Sequence, residues 1–204
     1  MARRPEAIVF DIGNVLIEWN PERVFDEIMG SRAAREELFA TVDLHGMNDR
    51  IDRGAPFRET VHAEAARHPR FRAQIEQWHT RWLDMASPAI EGSWRILRTL
   101  RSQGVPVFAL SNFGIQTFAL AEGVYPILNE FDRRYLSGQM KVIKPDPRIY
   151  EMVEQDCGLS GAQLFFTDDR ADNIAAADAR GWQTHRFTNP EALAGALRAR
   201  GFPL

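Results

Sequence analysis

Three apolar runs of the chain each end in polar residues whose types suit the binding of a phosphoryl group and a metal ion. These residues, together with a lysine that stands just before a predicted helix, are Asp11, Ser111, Asn112, Lys144, Asp168 and Asp169. Carboxylate oxygens are ligands that Mg²⁺ prefers, and hydroxyl, amide and ammonium groups can bind phosphoryl oxygens. The set therefore predicts one site at which a metal ion and a phosphoryl group meet.

Asp11, directly after the apolar run 7–10, is the candidate nucleophile. A carboxylate at the end of a strand can attack an electrophilic centre and form a covalent ester. Because a phosphate ester is itself negatively charged, the attack requires a cation that neutralises part of the charge, and Mg²⁺ held by oxygen ligands does so. The predicted ligands are Asp11, Asp169 and the backbone carbonyl of Gly13.

The other polar residues are predicted to bind the phosphate or to support the groups that do. Lys144 supplies a fixed positive charge, and Ser111 with nearby backbone N–H groups can bind phosphate oxygens. Asp168 can orient Lys144 or a water on the metal. Asn173 lies four residues after Asp169 at the start of a predicted helix, so it faces the same way and supports the site from behind.

The elements that would position these residues alternate between strands and helices in most of the chain. Residues 6–16 are predicted to form a buried strand and a polar loop, and residues 88–204 to alternate helices with strands at 105–110, 164–167 and 184–187. Such alternation implies right-handed crossovers and a parallel sheet. Ligands of these folds bind beyond the carboxyl ends of the strands.

Residues 17–87 lack strand patterns and are predicted to be wholly helical. The segment 20–22 (Asn-Pro-Glu) has the composition of a helix N-terminus, whereas Gly46 and Gly54 are predicted to lie in loops between helices. Apolar residues recur at helical spacing over 71–85, which predicts one helix there. This section follows the first strand, so we expect it to lie above the carboxyl edge of the sheet.

The composition is that of an ordinary globular protein. Of the 204 residues 45% are hydrophobic, enough for a packed core, and the net charge of −3 gives no indication of binding to nucleic acid or to an anionic membrane. No segment reaches the roughly 18 apolar residues that span a bilayer. Cys157 is the sole cysteine, which fits a reducing compartment. A soluble cytoplasmic protein acting on a small molecule is expected, and its oligomeric state stays open.

Taken together and in order, the motifs of the chain resemble those of the haloacid dehalogenase superfamily, and more narrowly its phosphatase branch with a helical cap. The motifs are Asp11-Ile12-Gly13-Asn14-Val15, Ser111-Asn112, Lys144-Pro145 and Asp168-Asp169-x-x-x-Asn173. The resemblance implies an α/β fold with a Rossmann-like three-layer core formed by residues 1–16 and 88–204 and a helical cap formed by residues 17–87. It also implies a Mg²⁺ cofactor, a phosphorylated small-molecule substrate and an aspartyl-phosphate intermediate.

The resemblance assigns a role to each matching residue. Asp11 is the nucleophile, Lys144 is the positive charge beside the phosphate, and Asp169 is a metal ligand. The residues predicted on the phosphate side are Ser111, Asn112, Gly13 and Asn14. Asp168 and Asn173 are the predicted supporting residues.

Gly13 departs from the pattern of most phosphatases that the chain resembles. Those enzymes carry a second aspartate at this position, which protonates the leaving oxygen and later activates water. Such general acid–base help is typically worth about 10²–10⁴-fold in rate. A cap residue or water can take over, the leaving group can be good enough to need little help, or the activity is weak. The Asp-x-Gly-Asn-Val version resembles a sub-branch that acts on hexose 1-phosphates, whose anomeric oxygen leaves more easily than an ordinary alcohol.

Two other functions are compatible with parts of the pattern. A metal-independent 2-haloacid dehalogenase would use Asp11 to attack a carbon that bears a halide, but Gly13 and the pair Asp168-Asp169 argue against it. A non-catalytic binding module that has lost the second acid is the other alternative. Three further residues of the helical section could meet a substrate: Trp19, His45 and Asn48.

Overall fold

The computed structural model describes residues 4–204 and contains a five-stranded parallel sheet. Its strands are β1 Ala7–Phe10, β2 Val107–Ser111, β3 Arg133–Leu136, β4 Leu164–Asp168 and β5 Gln183–Arg186. The order across the sheet is β3-β2-β1-β4-β5, and all neighbours are parallel. β1 pairs with both β2 and β4, so the three strands that precede the predicted site residues are adjacent.

The chain between β1 and β2 is mainly helical. Its helices are α1 Pro21–Met29, α2 Arg32–Thr41, α3 Leu44–Asp52, α4 Phe57–Arg67, α5 Arg72–Thr80, α6 Trp82–Met85 and α7 Glu91–Ser102, with a 3₁₀ turn at Pro69–Phe71. The predicted start of α1 is confirmed, because the Asn20 side chain accepts a hydrogen bond from the backbone N–H of Arg23.

Helices also follow the later strands. They are α8 Ile115–Val124, α9 Ser137–Met140, α10 Pro147–Cys157, α11 Ala171–Asp178 and α12 Pro190–Arg198, with 3₁₀ turns at Pro126–Asn129 and Gly161–Gln163. Within residues 4–204, no helix combines the length and the apolar composition that crossing a bilayer would require.

Apolar side chains cover both faces of the sheet. Phe10 belongs to a core that also includes the helices between β1 and β2, with Trp78 fully buried in it. Val9 belongs to a second core on the opposite face, together with Tyr150 of α10. Strands buried on both faces are expected to be continuously apolar, which is why β1, β2 and β4 could be recognised in the sequence. The predicted α/β fold with three layers is confirmed.

The sequence missed β3 and misplaced the ends of three strands. β3 has the sequence Arg-Arg-Tyr-Leu and lies at the sheet edge with its arginines exposed, so it shows no apolar run. β2 starts two residues later than predicted and extends through Ser111, and β4 extends through Asp168. β5 covers 183–186 instead of 184–187.

The predicted helix over 71–85 is interrupted. The 3₁₀ turn ends at Phe71, α5 follows it, and a break at Arg81 separates α5 from α6. Trp78 and Trp82, on either side of the break, are both buried. The spacing of apolar residues indicates which face of a helix is buried. Because the buried face continues across the break, the spacing did not reveal the break.

The two glycines that were assigned to loops behave differently. Gly46 lies inside α3, because Asp43 caps that helix and accepts a hydrogen bond from the Gly46 N–H at 2.8 Å. The loop prediction was therefore wrong for Gly46. Gly54 follows α3 in a loop with a φ of 92°, as predicted, and this conformation favours glycine.

Candidate active site

The candidate site lies at the carboxyl ends of β1, β2 and β4. Because β1 pairs in parallel with both neighbours, the residues that follow these strands lie side by side. Carboxylate oxygens of Asp11, Asp168 and Asp169 are all within 4.8 Å of one another. Asp11 and Asp169 line a cavity of about 510 Å³ between the sheet edge and the helices that follow β1. The structure thus brings together residues that are more than 150 positions apart in the chain.

Lys144 is the positive charge inside this acidic cluster. It is only 2% exposed, and its Nζ lies 2.6 Å from Asp168 Oδ2, 2.9 Å from Asp11 Oδ1 and 2.9 Å from the Leu110 carbonyl oxygen. Burial alone would lower the pKa of Lys144, but Asp11 and Asp168 outweigh it and raise the pKa above its ordinary value. Lys144 therefore remains an ammonium ion.

Asp11 is buried at the bottom of the cavity. Its Oδ1 accepts a hydrogen bond from the Ile12 N–H at 2.7 Å. Burial, together with the charge of Asp168, raises the pKa of Asp11 to about 7, although Lys144 and a hydrogen bond from Ser111 favour the carboxylate. A second cation near Asp11 would therefore favour its ionised form.

Asp168 is fully buried and its oxygens are engaged within the protein. Oδ2 accepts from Lys144, Oδ1 accepts from the Arg170 N–H at 2.8 Å, and Asn173 Nδ2 donates to both at 2.9–3.0 Å. Asp168 therefore orients Lys144, and Asn173 orients Asp168. The sequence placed both among the supporting residues, and these contacts are of that kind.

Asn14 holds Asp169 in place. Its Nδ2 donates to Asp169 Oδ2 at 3.1 Å, and its Oδ1 accepts from the Trp19 N–H at 2.9 Å. Its own N–H donates to the Ile17 carbonyl at 2.7 Å. Asn14 was predicted on the phosphate side, but its polar side-chain atoms and its N–H are all engaged within the protein. The geometry assigns Asn14 to positioning Asp169.

Ser111 is the last residue of β2, and Asn112 directly follows it. Ser111 is 3% exposed and lines the cavity. The Asn112 amide binds the backbone of Lys144 twice, with Nδ2 donating to its carbonyl at 3.0 Å and Oδ1 accepting from its N–H at 2.7 Å. The Asn112 side chain thus fixes the loop that carries Lys144. Binding of phosphate by Ser111 and by the backbone of Asn112 stays a prediction.

One face of α3 forms part of the cavity wall. His45, Asn48, Asp49 and Asp52 lie on the face of α3 that lines the cavity, while Leu44, Met47 and Ile51 of its other face are buried in the core. Trp19, predicted as a lining residue with His45 and Asn48, also lies on the wall. The sequence analysis missed Asp49 and Asp52. The signal was the polar spacing 45, 48, 49 and 52, which marks one face of a helix.

The acidic cluster fits a divalent cation. Three acids surround one ammonium in a largely buried place, so the cluster holds more acidic groups than the one positive charge can balance. Asn173 Oδ1 also lines this region and is buried without a hydrogen-bond partner among residues 4–204. A hard oxygen donor set with spare acceptor capacity is what Mg²⁺ and its waters require.

Proteins of known name and structure resemble the chain over nearly its whole length. The Aspergillus oryzae protein named sesquiterpene phosphatase astK is 25% identical over 194 residues, which cover 95% of each chain. A HAD family enzyme from Bacteroides thetaiotaomicron, solved as a magnesium complex, has a TM-score of 0.74 at 22% identity and covers 96% of this chain and 100% of that one. An L-2-haloacid dehalogenase from Xanthobacter autotrophicus with chloropropionic acid covalently bound has a TM-score of 0.64 at 19% identity. The match covers 98% of this chain and 85% of that one. The two structures share the fold of this chain.

A family model covers most of the chain. The model described as haloacid dehalogenase-like hydrolase matches residues 5–181. That span contains every predicted site residue, from Asp11 to Asn173. The chain belongs to the haloacid dehalogenase-like hydrolase family.

Proposed function

We propose that this hydrolase is a magnesium-dependent phosphatase that cleaves phosphate esters of small, uncharged alcohols through an aspartyl-phosphate on Asp11. The observation that carries the proposal is the buried cluster at the bottom of the cavity. There Lys144 Nζ lies 2.9 Å from Asp11 Oδ1. Asp11, Asp168 and Asp169 together form a group of three acids. A nucleophile next to one fixed ammonium suits an anionic substrate. Similarity to a protein named as a phosphatase supports this assignment.

Asp11 forms and then loses the covalent bond to phosphorus. Its carboxylate oxygen attacks phosphorus, and the bond between phosphorus and the leaving oxygen breaks. Water then attacks phosphorus, releases phosphate and restores the Asp11 carboxylate. The Ile12 N–H and Lys144 hold Asp11 Oδ1, which leaves Oδ2 as the oxygen that attacks.

The surrounding residues bind and orient. Lys144 contributes its positive charge to the phosphoryl group, and the Ser111 hydroxyl is the proposed donor to a phosphoryl oxygen. Asp11, Asp169 and the Gly13 carbonyl are the groups that we expect to hold Mg²⁺. When bound, Mg²⁺ neutralises charge on the nucleophile and the phosphate so that they can approach.

The acidic cluster favours a phosphatase over the two alternatives. A dehalogenase that attacks carbon needs no divalent cation, so it would not need three acids clustered around one ammonium. A binding module would not need the double engagement of the Asn112 amide with Lys144, which fixes an ammonium beside the nucleophile.

The cavity wall indicates an uncharged leaving group. Beyond the phosphate side, the lining residues are chiefly acidic or aromatic: Glu18, Glu22, Asp49, Asp52, Trp19, Trp82 and Phe113. Apart from Lys144, Arg170 is the one permanently cationic side chain among the described lining residues, and it is paired with Asp172. A hexose 1-phosphate and the phosphate of an apolar alcohol both meet this requirement, so both belong in a substrate screen.

We expect substrates with a second anionic group to react poorly. Placing a carboxylate or second phosphate against the acidic wall costs more than about 1.4 kcal/mol, which is at least tenfold in kcat/KM. Glucose 1-phosphate and a prenyl phosphate should be compared with fructose 1,6-bisphosphate and phosphoglycolate. Higher kcat/KM for the doubly anionic esters would contradict the proposed substrate class.

A phosphate-release screen tests the proposed function. Esters of sugars, nucleosides, small acids and apolar alcohols should be assayed with Mg²⁺ and with a chelator, and halide release from 2-haloacids should be measured in parallel. We expect phosphate release from at least one neutral-alcohol ester and only with Mg²⁺. Halide release in the presence of the chelator, with no phosphate release from any ester, would favour the dehalogenase.

Mg²⁺ is expected to stabilise the folded protein through the acidic cluster. A ligand at about 100 times its Kd adds about 2.7 kcal/mol, which for a chain of this length raises Tm by about 5–11 °C. Asp169→Asn should reduce this shift because it removes one of the expected ligands. The rise in Tm is measured by thermal denaturation in MgCl₂ and, for comparison, in KCl at the same ionic strength. The same shift in the variant would place the binding of Mg²⁺ elsewhere.

A further inference from the structure

The proposed reaction needs a proton donor on the side of the phosphoryl group that faces the helices. In an in-line displacement the leaving oxygen departs opposite the attacking oxygen. Since Asp11 lies at the sheet edge, the leaving oxygen points into the cavity, whose lining includes polar residues of α3. Gly13 has no side chain that could give a proton, and an alcohol leaves slowly without one.

We propose that the carboxyl group of Asp52 on α3 gives this proton to the leaving oxygen and later accepts one from the attacking water. The inference rests on the proposed phosphatase function and identifies the group that replaces the acid missing at Gly13. Asp52, on α3, lines the same cavity as Asp11 and Lys144.

Asp52 is fixed to the loop that carries the phosphate-side residues. Its Oδ1 accepts a hydrogen bond from the Gly114 N–H at 3.1 Å, and its backbone carbonyl accepts from Ser137 Oγ at 2.6 Å. The same Ser137 Oγ accepts from the Phe113 N–H at 2.8 Å. Because Phe113 and Gly114 directly follow Ser111 and Asn112, the Asp52 carboxyl has a defined position relative to the phosphate side.

The surroundings of Asp52 favour its protonated form. Asp52 is 9% exposed and forms no ion pair with any residue of the described chain. Its Oδ2 accepts a hydrogen bond from Asn48 Nδ2 at 2.8 Å. Burial is the main cause that raises the pKa of Asp52 well above its ordinary value, and the charges of Asp49 and Asp11 act in the same direction, whereas the Gly114 N–H and Lys144 act against it. A neutral carboxyl group can donate a proton, whereas an ordinary exposed aspartate cannot at neutral pH.

The protons balance over the two steps. In the first step Asp11 forms its bond to phosphorus, and the electron pair of the broken bond goes to the leaving oxygen, which takes the Asp52 proton and departs as an alcohol. In the second step the Asp52 carboxylate takes a proton from water as the water oxygen bonds to phosphorus. The bond between phosphorus and Asp11 breaks, which releases phosphate and restores both acids.

The other polar residues of the α3 face are less suitable donors. His45 is exposed and lies 3.7 Å from Glu22 at the rim. Asp49 is exposed, one turn before Asp52. The Asn48 amide is not an acid. Among the residues of this face, Asp52 alone combines burial with an ionisable group.

The test compares leaving groups in Asp52→Asn. For the best alcohol phosphate found in the screen, kcat/KM should fall by about 10²–10⁴-fold. For p-nitrophenyl phosphate, whose phenolate departs without a proton, kcat/KM should change by less than about tenfold, and a burst of p-nitrophenol should precede a slower steady state because the second step has lost its base. Both substrates are measured on one preparation, so any unfolded fraction cancels in the ratio.

Asp49→Asn is the matched control, since it makes the same substitution at an exposed position on the same face of α3. It should lower kcat/KM for the alcohol phosphate relative to p-nitrophenyl phosphate far less than Asp52→Asn does, because the Asp52 carboxyl group is still present. An equal loss for both leaving groups in Asp52→Asn, without a burst, would overturn the role of Asp52 and leave the proposed phosphatase standing. Absence of phosphate release from the unaltered protein with any ester would instead overturn the proposed function, and this inference with it.

A second acid at residue 13 provides an independent test. A Cβ at Gly13 would meet only Trp19 Cβ, at 3.8 Å, which is ordinary contact, so Gly13→Asp is sterically allowed. If Asp52 already gives the proton, the new acid should raise kcat/KM for the alcohol phosphate more in the Asp52→Asn background than in the unaltered protein. Equal effects in the two backgrounds would overturn the proposal.

Discussion

Asp11→Asn is expected to lower the rate of phosphate release by about 10⁴–10⁶-fold, which is the typical loss when a catalytic nucleophile is removed. The amide has nearly the shape of the carboxyl group but cannot attack phosphorus as an anion. Initial rates of phosphate release with saturating Mg²⁺ measure the effect. Asp178→Asn, which changes an exposed aspartate at the end of α11, should leave the rate unchanged.

The loss of activity in Asp11→Asn should not result from unfolding. Burial raises the pKa of Asp11 to about 7 in the folded chain, so the folded state binds this proton more tightly than the unfolded state. Asp11 therefore favours folding at low pH, and that contribution is lost as the pH rises through about 7. At about pH 8 the neutral asparagine should leave the stability to urea nearly unchanged, because Lys144 keeps its ion pair with Asp168. A marked drop in stability would show that the carboxylate has a structural role.

Lys144→Met is expected to reduce both stability and activity. The side chain is buried between Asp11 and Asp168, and removing one partner of a buried ion pair typically costs about 3–5 kcal/mol. Activity should fall by about 10²–10³-fold because a positive charge next to the phosphoryl group is lost. Lys141→Met is the matched control, since Lys141 is exposed three residues earlier. Urea unfolding in the presence of a chelator measures the stability.

The stability lost in Lys144→Met should depend on pH. Without the ammonium, the already raised pKa of Asp11 rises further, because Lys144 is the main group that favours the Asp11 carboxylate. A raised pKa in the folded state favours folding at low pH and opposes it as the pH increases. We therefore expect a larger loss at about pH 8 than at about pH 5. An equal loss at both pH values would show that the lysine contributes through packing of its apolar stem.

The sequence was sufficient for the elements whose burial imposes a pattern. β1, β2 and β4 are covered on both faces, so each is an unbroken apolar run, and the acids that follow them could be assigned to one sheet edge. β3 was missed because an edge strand with two exposed arginines has no such pattern. The break at Arg81 was missed because the buried face continues across it.

Residue types alone could not show which hydrogen-bond partners the polar side chains of the site have. Asn14 and Asn112 were placed on the phosphate side, yet their amides hold Asp169 and the Lys144 backbone. Asp52 could not be recognised as a buried acid because its burial arises from the packing of α3 against the loop after β2. That contact joins residues 62 positions apart through one hydrogen bond to Gly114.

Trapping the phosphorylated enzyme is the most direct test of the account. The protein should be mixed with a substrate labelled in its phosphoryl group, quenched in acid during turnover, digested, and examined by tandem mass spectrometry. We predict an acyl-phosphate on the peptide that contains Asp11, at no other residue, and none in Asp11→Asn. Turnover at the full rate with the phosphoryl group on a different side chain, or undiminished turnover in Asp11→Asn, would contradict the assignment of Asp11 as the nucleophile.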